Sequence, residues 1–370
     1  MISKEQIAKV LEGYDKRNLT IGTLGGHSAL DICRGAKDLG FRTAVVCQKG
    51  REKTYAQYYR NLVDEVIIVD NFRDIVRKDV QEKLRALNTI FVHSRYFWVY
   101  CNFTDIEGRF LVPIFGTRSA VRAEERDMPK NQYFLLQKAG IPTPKVFRNP
   151  KDIDRLVIVK AAEAQRGYER AFFFVNNYDE YKQKSAELIK DKKITPASLK
   201  KALIEEFVIG PQVNLNFFYS PIFQRLELLG TDTRRQTNID GLLRLTAQEQ
   251  LSVLRYVKPQ YIEAGHIAVT LKESLLEQAF DLGEKFVAVM KKYYPSGIIG
   301  PFALQGALKA GPPKEEFVIF DVSMRIPGSP GISYTPYSKY LFGEDTSTGK
   351  RIAMEIKKAI IEGKLSEIVT

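Results

Sequence analysis

Two apolar runs near the C-terminus each deliver one oxygen-bearing side chain. Gly300-Pro301-Phe302-Ala303-Leu304-Gln305 ends in an amide, and Phe317-Val318-Ile319-Phe320-Asp321-Val322-Ser323-Met324-Arg325 carries a carboxylate with an arginine four residues beyond it. Mg²⁺ takes hard oxygen ligands and is shared between one or two protein side chains and a substrate's phosphates, so Gln305 and Asp321 suit metal-assisted nucleotide chemistry. Arg325 would then face phosphate oxygens. Two ordinary buried strands with polar ends fit the same runs.

Three further segments carry chemical content. Gly22-Thr23-Leu24-Gly25-Gly26-His27-Ser28-Ala29-Leu30-Asp31 places glycines after a strand and before a helix, with Ser28 and Asp31 spaced as a capping box. That arrangement aims free N–H groups at an anion such as phosphate. The spacing is not that of a dinucleotide fold, and the second strand ends in Cys47-Gln48-Lys49-Gly50-Arg51 without an acid for a ribose diol. His27 sits where open sheets bind ligands, in a functional role or as a capping or packing residue. Val157-Ile158-Val159-Lys160 is an apolar strand ending in a cation suited to phosphate, and Leu203-Ile204-Glu205-Glu206-Phe207-Val208 suits an adenine slot. Thr237-Asn238-Ile239-Asp240-Gly241 presents Asn238 to a ligand or, the better reading, simply turns a hairpin. His93 and His266 read as structural.

The elements that must position these residues are α/β. Strands at Thr20 to Leu24, Arg42 to Cys47, Val66 to Val69 and Thr89 to Val92 alternate with helices at Ser28 to Leu39 and about Lys78 to Leu87, the pattern of a doubly wound sheet. The charged run Arg122 to Lys130 reads as a connection, followed by a helix from Asn131 to Ala139 stopped by Gly140. Strands dominate from there to about residue 245. Tyr334 to Phe342 reads as core rather than interface.

A chain of 370 residues, 44% hydrophobic, holds two or three domains. The net charge of +12 is scattered among 44 acidic residues, which favours a small anionic substrate over nucleic acid. The three cysteines, Cys33, Cys47 and Cys101, lie at no metal-ligand spacing and point to reduced thiols in a cytoplasmic protein. No signal-peptide pattern opens the sequence and no apolar run reaches membrane-spanning length.

In this order, the motifs resemble the ATP-grasp superfamily and, within it, the archaeal formate-dependent synthetases of formaminoimidazole carboxamide ribotide. The resemblance runs over nearly the whole chain, through Gly25-Gly26-His27-Ser28-Ala29-Leu30, Phe115-Gly116-Thr117-Arg118, Gly140-Ile141-Pro142-Thr143-Pro144-Lys145, Val159-Lys160, Glu205-Glu206-Phe207-Val208-Ile209-Gly210, Asn238-Ile239-Asp240-Gly241, Lys272-Glu273-Ser274-Leu275-Leu276, Ile299-Gly300-Pro301-Phe302 and Pro336-Tyr337-Ser338. It implies an N-terminal α/β domain at residues 1–122, an ATP-grasp small subdomain at 123–210, and a C-terminal subdomain with the metal site at 211–370. It also implies an ATP- and Mg²⁺-dependent ligase that formylates aminoimidazole carboxamide ribotide through formyl phosphate, assembled as a trimer or hexamer.

By the same resemblance Lys145 and Lys160 hold ATP phosphates; Glu205, Glu206 and Val208 line the adenosine pocket; Gln305 and Asp321 hold Mg²⁺. Gly25, Gly26, His27, Ser28, Ser94 and Asn238 meet the ribotide, and His27, Lys160 and Arg325 serve the chemistry. The chain departs from the family pattern in four places. Its flap, Ala161 to Tyr168, has Gly167 alone with Arg166 and Arg170 nearby. Asp321 stands where glutamate is usual, Ile326-Pro327-Gly328-Ser329-Pro330-Gly331 replaces an Ala-Gly-Thr-Asn loop, and Ser94 occupies the place of a histidine in His93-Ser94-Arg95-Tyr96-Phe97. A paralogue with another substrate, or a nucleotide-binding protein without turnover, is the alternative expectation.

Overall fold

The structure is a computed structural model, and it describes all residues except 126–127, 162–171, 258–259 and 312, together with the side chains at 261–262. The flap residues 162–171, with Gly167, Arg166 and Arg170, therefore lie outside the described residues.

Strands β1 (Thr20–Leu24), β2 (Arg42–Gln48), β3 (Glu65–Val69), β4 (Thr89–Val92) and β5 (Ile114–Phe115) form a parallel sheet in the order β3-β2-β1-β4-β5. β1 and β4 are buried along their whole length, as expected of a sheet covered on both faces. The strand order reverses between β1 and β4, so the crevice beyond their carboxyl ends is where such a sheet takes a ligand. Residues 25–28 follow β1 and residues 93–96 follow β4, which brings both segments to that crevice.

A second sheet, antiparallel, contains β6 (Val146–Phe147), β7 (Val157–Lys160), β8 (Phe172–Val175) and β9 (Leu203–Glu206) in the order β6-β9-β7-β8. A third, also antiparallel, contains β10 (Gln212–Ser220), β11 (Arg225–Thr237), β12 (Tyr261–Val269), β13 (Gly300–Lys309) and β14 (Glu316–Ser323) in the order β12-β11-β10-β13-β14.

Strand β10 shows how the third sheet gains two different faces. Val213, Leu215 and Phe217 alternate toward the helix Leu276–Tyr293, where Phe302 stacks against both Phe217 and Phe286 at centroid separations of 5.3 and 5.8 Å. The residues between them, Asn214 and Asn216, belong to the opposite face, which is polar at its centre.

The chain then returns to the first sheet. The helix Thr348–Ile361 crosses the helix Ala29–Asp38 so closely that a Cβ on Gly35 or Gly349 would overlap the other helix's backbone. Asp31 does not form the expected capping box. Its carboxylate accepts from Gly349 N–H at 2.9 Å, capping the later helix, while Ser28 has φ 70° and makes no cap. The reason is packing: Asp31 faces a second helix N-terminus across the contact, and burial raises its pKa. Thr370 exchanges backbone hydrogen bonds with Ile114 at the sheet edge. The stretch Tyr334 to Phe342 is only partly core, since Tyr337 is buried whereas Tyr334 and Tyr340 are exposed. All three cysteines are free and buried, with burial pushing each thiol up to about 12.

Candidate functional site

Gln305 and Asp321 are directly paired across β13 and β14, so their side chains leave the sheet on the same face. The Gln305 amide is oriented by Arg234, whose Nη2 donates to Oε1 at 2.7 Å, and by Ser323 Oγ, which accepts from Nε2 at 2.9 Å. A carbonyl oxygen has two lone pairs, so Oε1 retains one for a cation. Asp321 is half-buried and its carboxylate has no hydrogen bond or ion pair among the described residues. One free carboxylate beside one oriented amide oxygen matches the hard-oxygen donor set of Mg²⁺.

Lys160, the last residue of β7, contacts the Glu205 carboxylate on the neighbouring strand β9. The Tyr133 hydroxyl donates to the other oxygen of Glu205 at 3.0 Å and lies 3.4 Å from the Phe320 carbonyl, one residue before Asp321. The second and third sheets are thus joined beside the proposed metal pair. Glu206 lies on the outer side, with its backbone N–H donating to the Lys145 carbonyl at 2.8 Å and its carboxylate 3.8 Å from both Arg155 and Lys309. Lys145 extends to Asp154 at 2.9 Å and over the Phe147 ring. Val208 is half-buried in the connection from β9 to β10.

Arg325 is buried in the loop after β14. Its Nη1 donates to the Ile326 carbonyl at 3.3 Å, Nη2 is 3.7 Å from Glu124, and Nε has no partner. Glu124 also accepts from Met324 N–H at 2.6 Å and lies 3.5 Å from Arg95. Burial raises the Glu124 pKa, with Arg325 and Arg95 opposing it.

At the crevice of the first sheet, the Tyr96 ring lies on Gly26, and a Cβ on Gly25 would meet Cys47 Sγ at 2.8 Å. Both glycines are therefore required by packing as well as suited to an anion. Ser28 Oγ lies 3.2 Å from His27 Nδ1 and donates to the Pro327 carbonyl at 3.3 Å. Gly328 rests against the His27 ring, where any Cβ would overlap it. Burial holds the His27 pKa below its ordinary value, with help from Arg325. Ser94 is buried with an unpartnered hydroxyl. His93 is buried: Nδ1 accepts from Trp98 Nε1 at 2.7 Å, and burial pulls its pKa to about 3. Asn238 closes the β11–β12 hairpin, with its Oδ1 accepting from Gln260 N–H at 2.8 Å and its own N–H donating to the Gln260 carbonyl.

Several participants escaped the sequence reading. Asp232 is fully buried on β11, where it accepts from Asn214 and Asn216 Nδ2 at 2.9 and 2.6 Å and binds His266 Nδ1 at 2.5 Å. Glu263, 3.4 Å from His266 Nε2 and 3.9 Å from Arg234, extends the group toward His27. The available signal was the polar residues at every second position of β10 and β11, Asn214 and Asn216 on one and Asp232 and Arg234 on the other, with Asn214 directly opposite Asp232. Such alternation also fits an ordinary solvated sheet face, and the burial of Asn216 and Asp232, which sets this face apart, is seen only in the structure. Tyr133 and Glu124 carry no such signal.

The chain is similar to known proteins over its whole length. Residues 180–370 match a family profile described as "Domain of unknown function (DUF1297)", and residues 21–147 match a "Protein of unknown function (DUF1246)". A 5-formaminoimidazole-4-carboxamide-1-(beta)-D-ribofuranosyl 5'-monophosphate synthetase of Methanosphaera stadtmanae is 41% identical, covering 100% of this chain and 99% of its own. The enzyme of that name from Methanocaldococcus jannaschii is 40% identical, with 100% of both chains covered. Among solved structures, the IMP biosynthesis protein PurP from Thermococcus kodakaraensis superposes with a TM-score of 0.70 and 29% identity, over 95% of this chain and 100% of that one. The N5-carboxyaminoimidazole synthetase of Staphylococcus aureus shares the fold alone, with a TM-score of 0.59 and 12% identity over 91% of this chain and 76% of that one.

Proposed function

The chain belongs to the family of 5-formaminoimidazole-4-carboxamide ribotide synthetases, and on that premise we propose that the polar face from Lys160 to His27 is its active site. The protein is an ATP-dependent ligase of the ATP-grasp fold, acting in purine biosynthesis on small-molecule substrates. No described helix is long and apolar enough to cross a membrane.

The reading is carried by one observation: Gln305 and Asp321 occupy paired positions beside the Lys160–Glu205–Tyr133 contact that joins the two antiparallel sheets. Lys145 and Lys160 would bind the triphosphate, Glu205, Glu206 and Val208 the adenosine, and Gln305 with Asp321 the Mg²⁺. When bound, Mg²⁺ would neutralise charge on the β- and γ-phosphates. A formate oxygen attacks the γ-phosphorus, the bond to ADP breaks, and formyl phosphate forms. The 5-amino nitrogen of aminoimidazole carboxamide ribotide then attacks the formyl carbon, phosphate leaves, and the amine gives up a proton. Splitting the reaction is needed because formate itself offers only hydroxide or oxide as a leaving group.

Ser28, Ser94 and Asn238 would orient the ribotide, with its 5′-phosphate toward Gly25 and Gly26. His27, held neutral by burial and by Arg325, suits the base that takes the amine proton near neutral pH. Arg325 lies close enough to His27 to act on its charge, and its unpartnered Nε would stabilise negative charge developing on the phosphoryl group. The exposed Tyr334 and Tyr340 are available to a homo-oligomeric contact of the trimer or hexamer that the family resemblance implies.

The test is ADP release measured with each substrate omitted in turn. Release that requires ATP, formate and the ribotide together supports the proposal. Release with the ribotide and a carboxylate other than formate would overturn the choice of formate. Nucleotide-induced thermal stabilisation without any ADP release would point to binding without turnover.

A further inference from the structure

A second group of potential metal ligands lies beyond the Gln305–Asp321 pair. His27, Glu263 and His266 each bring one donor atom to within 4.8 Å of the others, although they come from the β1 crevice and from the edge strand β12. The two imidazole rings meet nearly perpendicular, at 85° and 6.4 Å between centroids. His266 is oriented in advance: Nδ1 binds Asp232 at 2.5 Å, Asp232 is fixed by Asn214 and Asn216, and Nε2 is left facing Glu263 at 3.4 Å. A carboxylate on one ring nitrogen with the other nitrogen directed at a shared point is the usual outer support of a metal-bound histidine. His27 is fixed as well, by Gly328 against its ring and by Ser28 Oγ beside Nδ1.

We propose that His27, Glu263 and His266 form a site for a zinc-class divalent cation, separate from the Mg²⁺ pair, and that its occupation excludes the imidazole nucleotide. Two imidazoles and one carboxylate favour borderline ions of the zinc type over Mg²⁺, and three protein ligands leave a position open to water. The ion displaces a hydrogen ion from between His266 and Glu263 and moves Arg234, 3.9 Å from Glu263, away from that carboxylate. The exclusion rests on the proposed role of His27 in ribotide binding, because one imidazole cannot serve both; the metal site itself does not depend on it.

Cobalt(II) is the probe, added to the full-length, chelator-treated protein without Mg²⁺ or nucleotide and followed by its visible d–d absorption. The site predicts a saturable band that zinc displaces, that is lost in Glu263→Gln and His266→Gln, and that persists in Asp321→Asn. Asp232→Asn should weaken cobalt binding by about 10- to 100-fold. Glu263 is exposed, so Glu263→Gln remains informative should His266→Gln fail to fold. Absence of the band in the wild type, or its survival in Glu263→Gln, overturns the site. In steady state, zinc should raise the ribotide KM without changing kcat; zinc inhibition that ribotide does not relieve overturns the exclusion. Failure of the enzyme to turn over ribotide at all would count against the proposed function and leave the cobalt result standing on its own.

Discussion

Asp321 combines a free carboxylate with a position directly opposite Gln305, and that combination makes it the residue on which turnover should depend most. Asp321→Asn keeps the shape and removes the charge, so the fold should survive while kcat for ADP release falls by about 10²–10³-fold, as when one electrostatic stabiliser is taken from an active site. A melting curve recorded beside the assay checks both halves. His266 gives a pH prediction. Burial lowers its pKa, but hydrogen bonds to Asp232 and Glu263 outweigh that and push it up to about 9. A histidine whose folded pKa is raised stabilises the fold fully below its unfolded pKa of about 6.5, and loses that contribution as pH rises through the folded value. The difference in melting temperature between wild type and His266→Gln, measured in chelator, should therefore be largest near pH 6 and shrink toward pH 10. A constant difference across that range would contradict it. At this scale the sequence singled out Gln305, Asp321, Lys160 and His27 by their apolar or glycine-rich flanks, and Gln305 and Asp321 prove to lie opposite each other within their strands, not at strand ends. Asp232 and Glu263 were not singled out, because their meaning comes from partners on other strands.

Among the elements, the loop from Ile326 to Gly331 is packed directly on the crevice of the first sheet. Gly328 lies on the His27 ring, and Pro327 accepts from Ser28. Gly328→Ala should displace His27 and raise the ribotide KM several-fold with the ATP KM unchanged, read from initial rates with each substrate varied. A rise in both constants would place the loop's effect elsewhere. Parallel strands β1 to β4 were readable from continuous apolar runs, and β13 and β14 from theirs. The capping box at Ser28 and Asp31 was misread for a physical reason: the spacing is local, whereas Asp31 caps a helix 318 residues further along the chain. A spacing rule does not see that partner.

Across the whole molecule, the C-terminal helix links the first and third sheets. Arg351, 1% exposed, reaches Glu227 of β11 at 2.6 Å and Glu355 of its own helix at 2.8 Å, and lies over the Phe218 ring of β10 at 4.2 Å. Both carboxylates are fully buried, and Arg351→Ala leaves Glu355 without its cation and Glu227 with Arg225 alone at 2.7 Å, so it should destabilise the protein by about 3–5 kcal/mol in urea unfolding. A loss below about 1 kcal/mol would mean that Arg225 and the hydrogen bonds from Ser220 and Ile222 suffice to hold the two carboxylates. The α/β class was legible because strand and helix periodicities differ. The return of the C-terminal helix to the first sheet was not, since it depends on Gly35 and Gly349 meeting across the fold. What the assembled molecule is held to do is activate a carboxylate as its acyl phosphate, and oxygen transfer tests this most directly. With ¹⁸O-labelled formate, ATP and the ribotide, the account predicts one labelled oxygen in each inorganic phosphate released. Phosphate free of label, formed alongside formylated product, would contradict it.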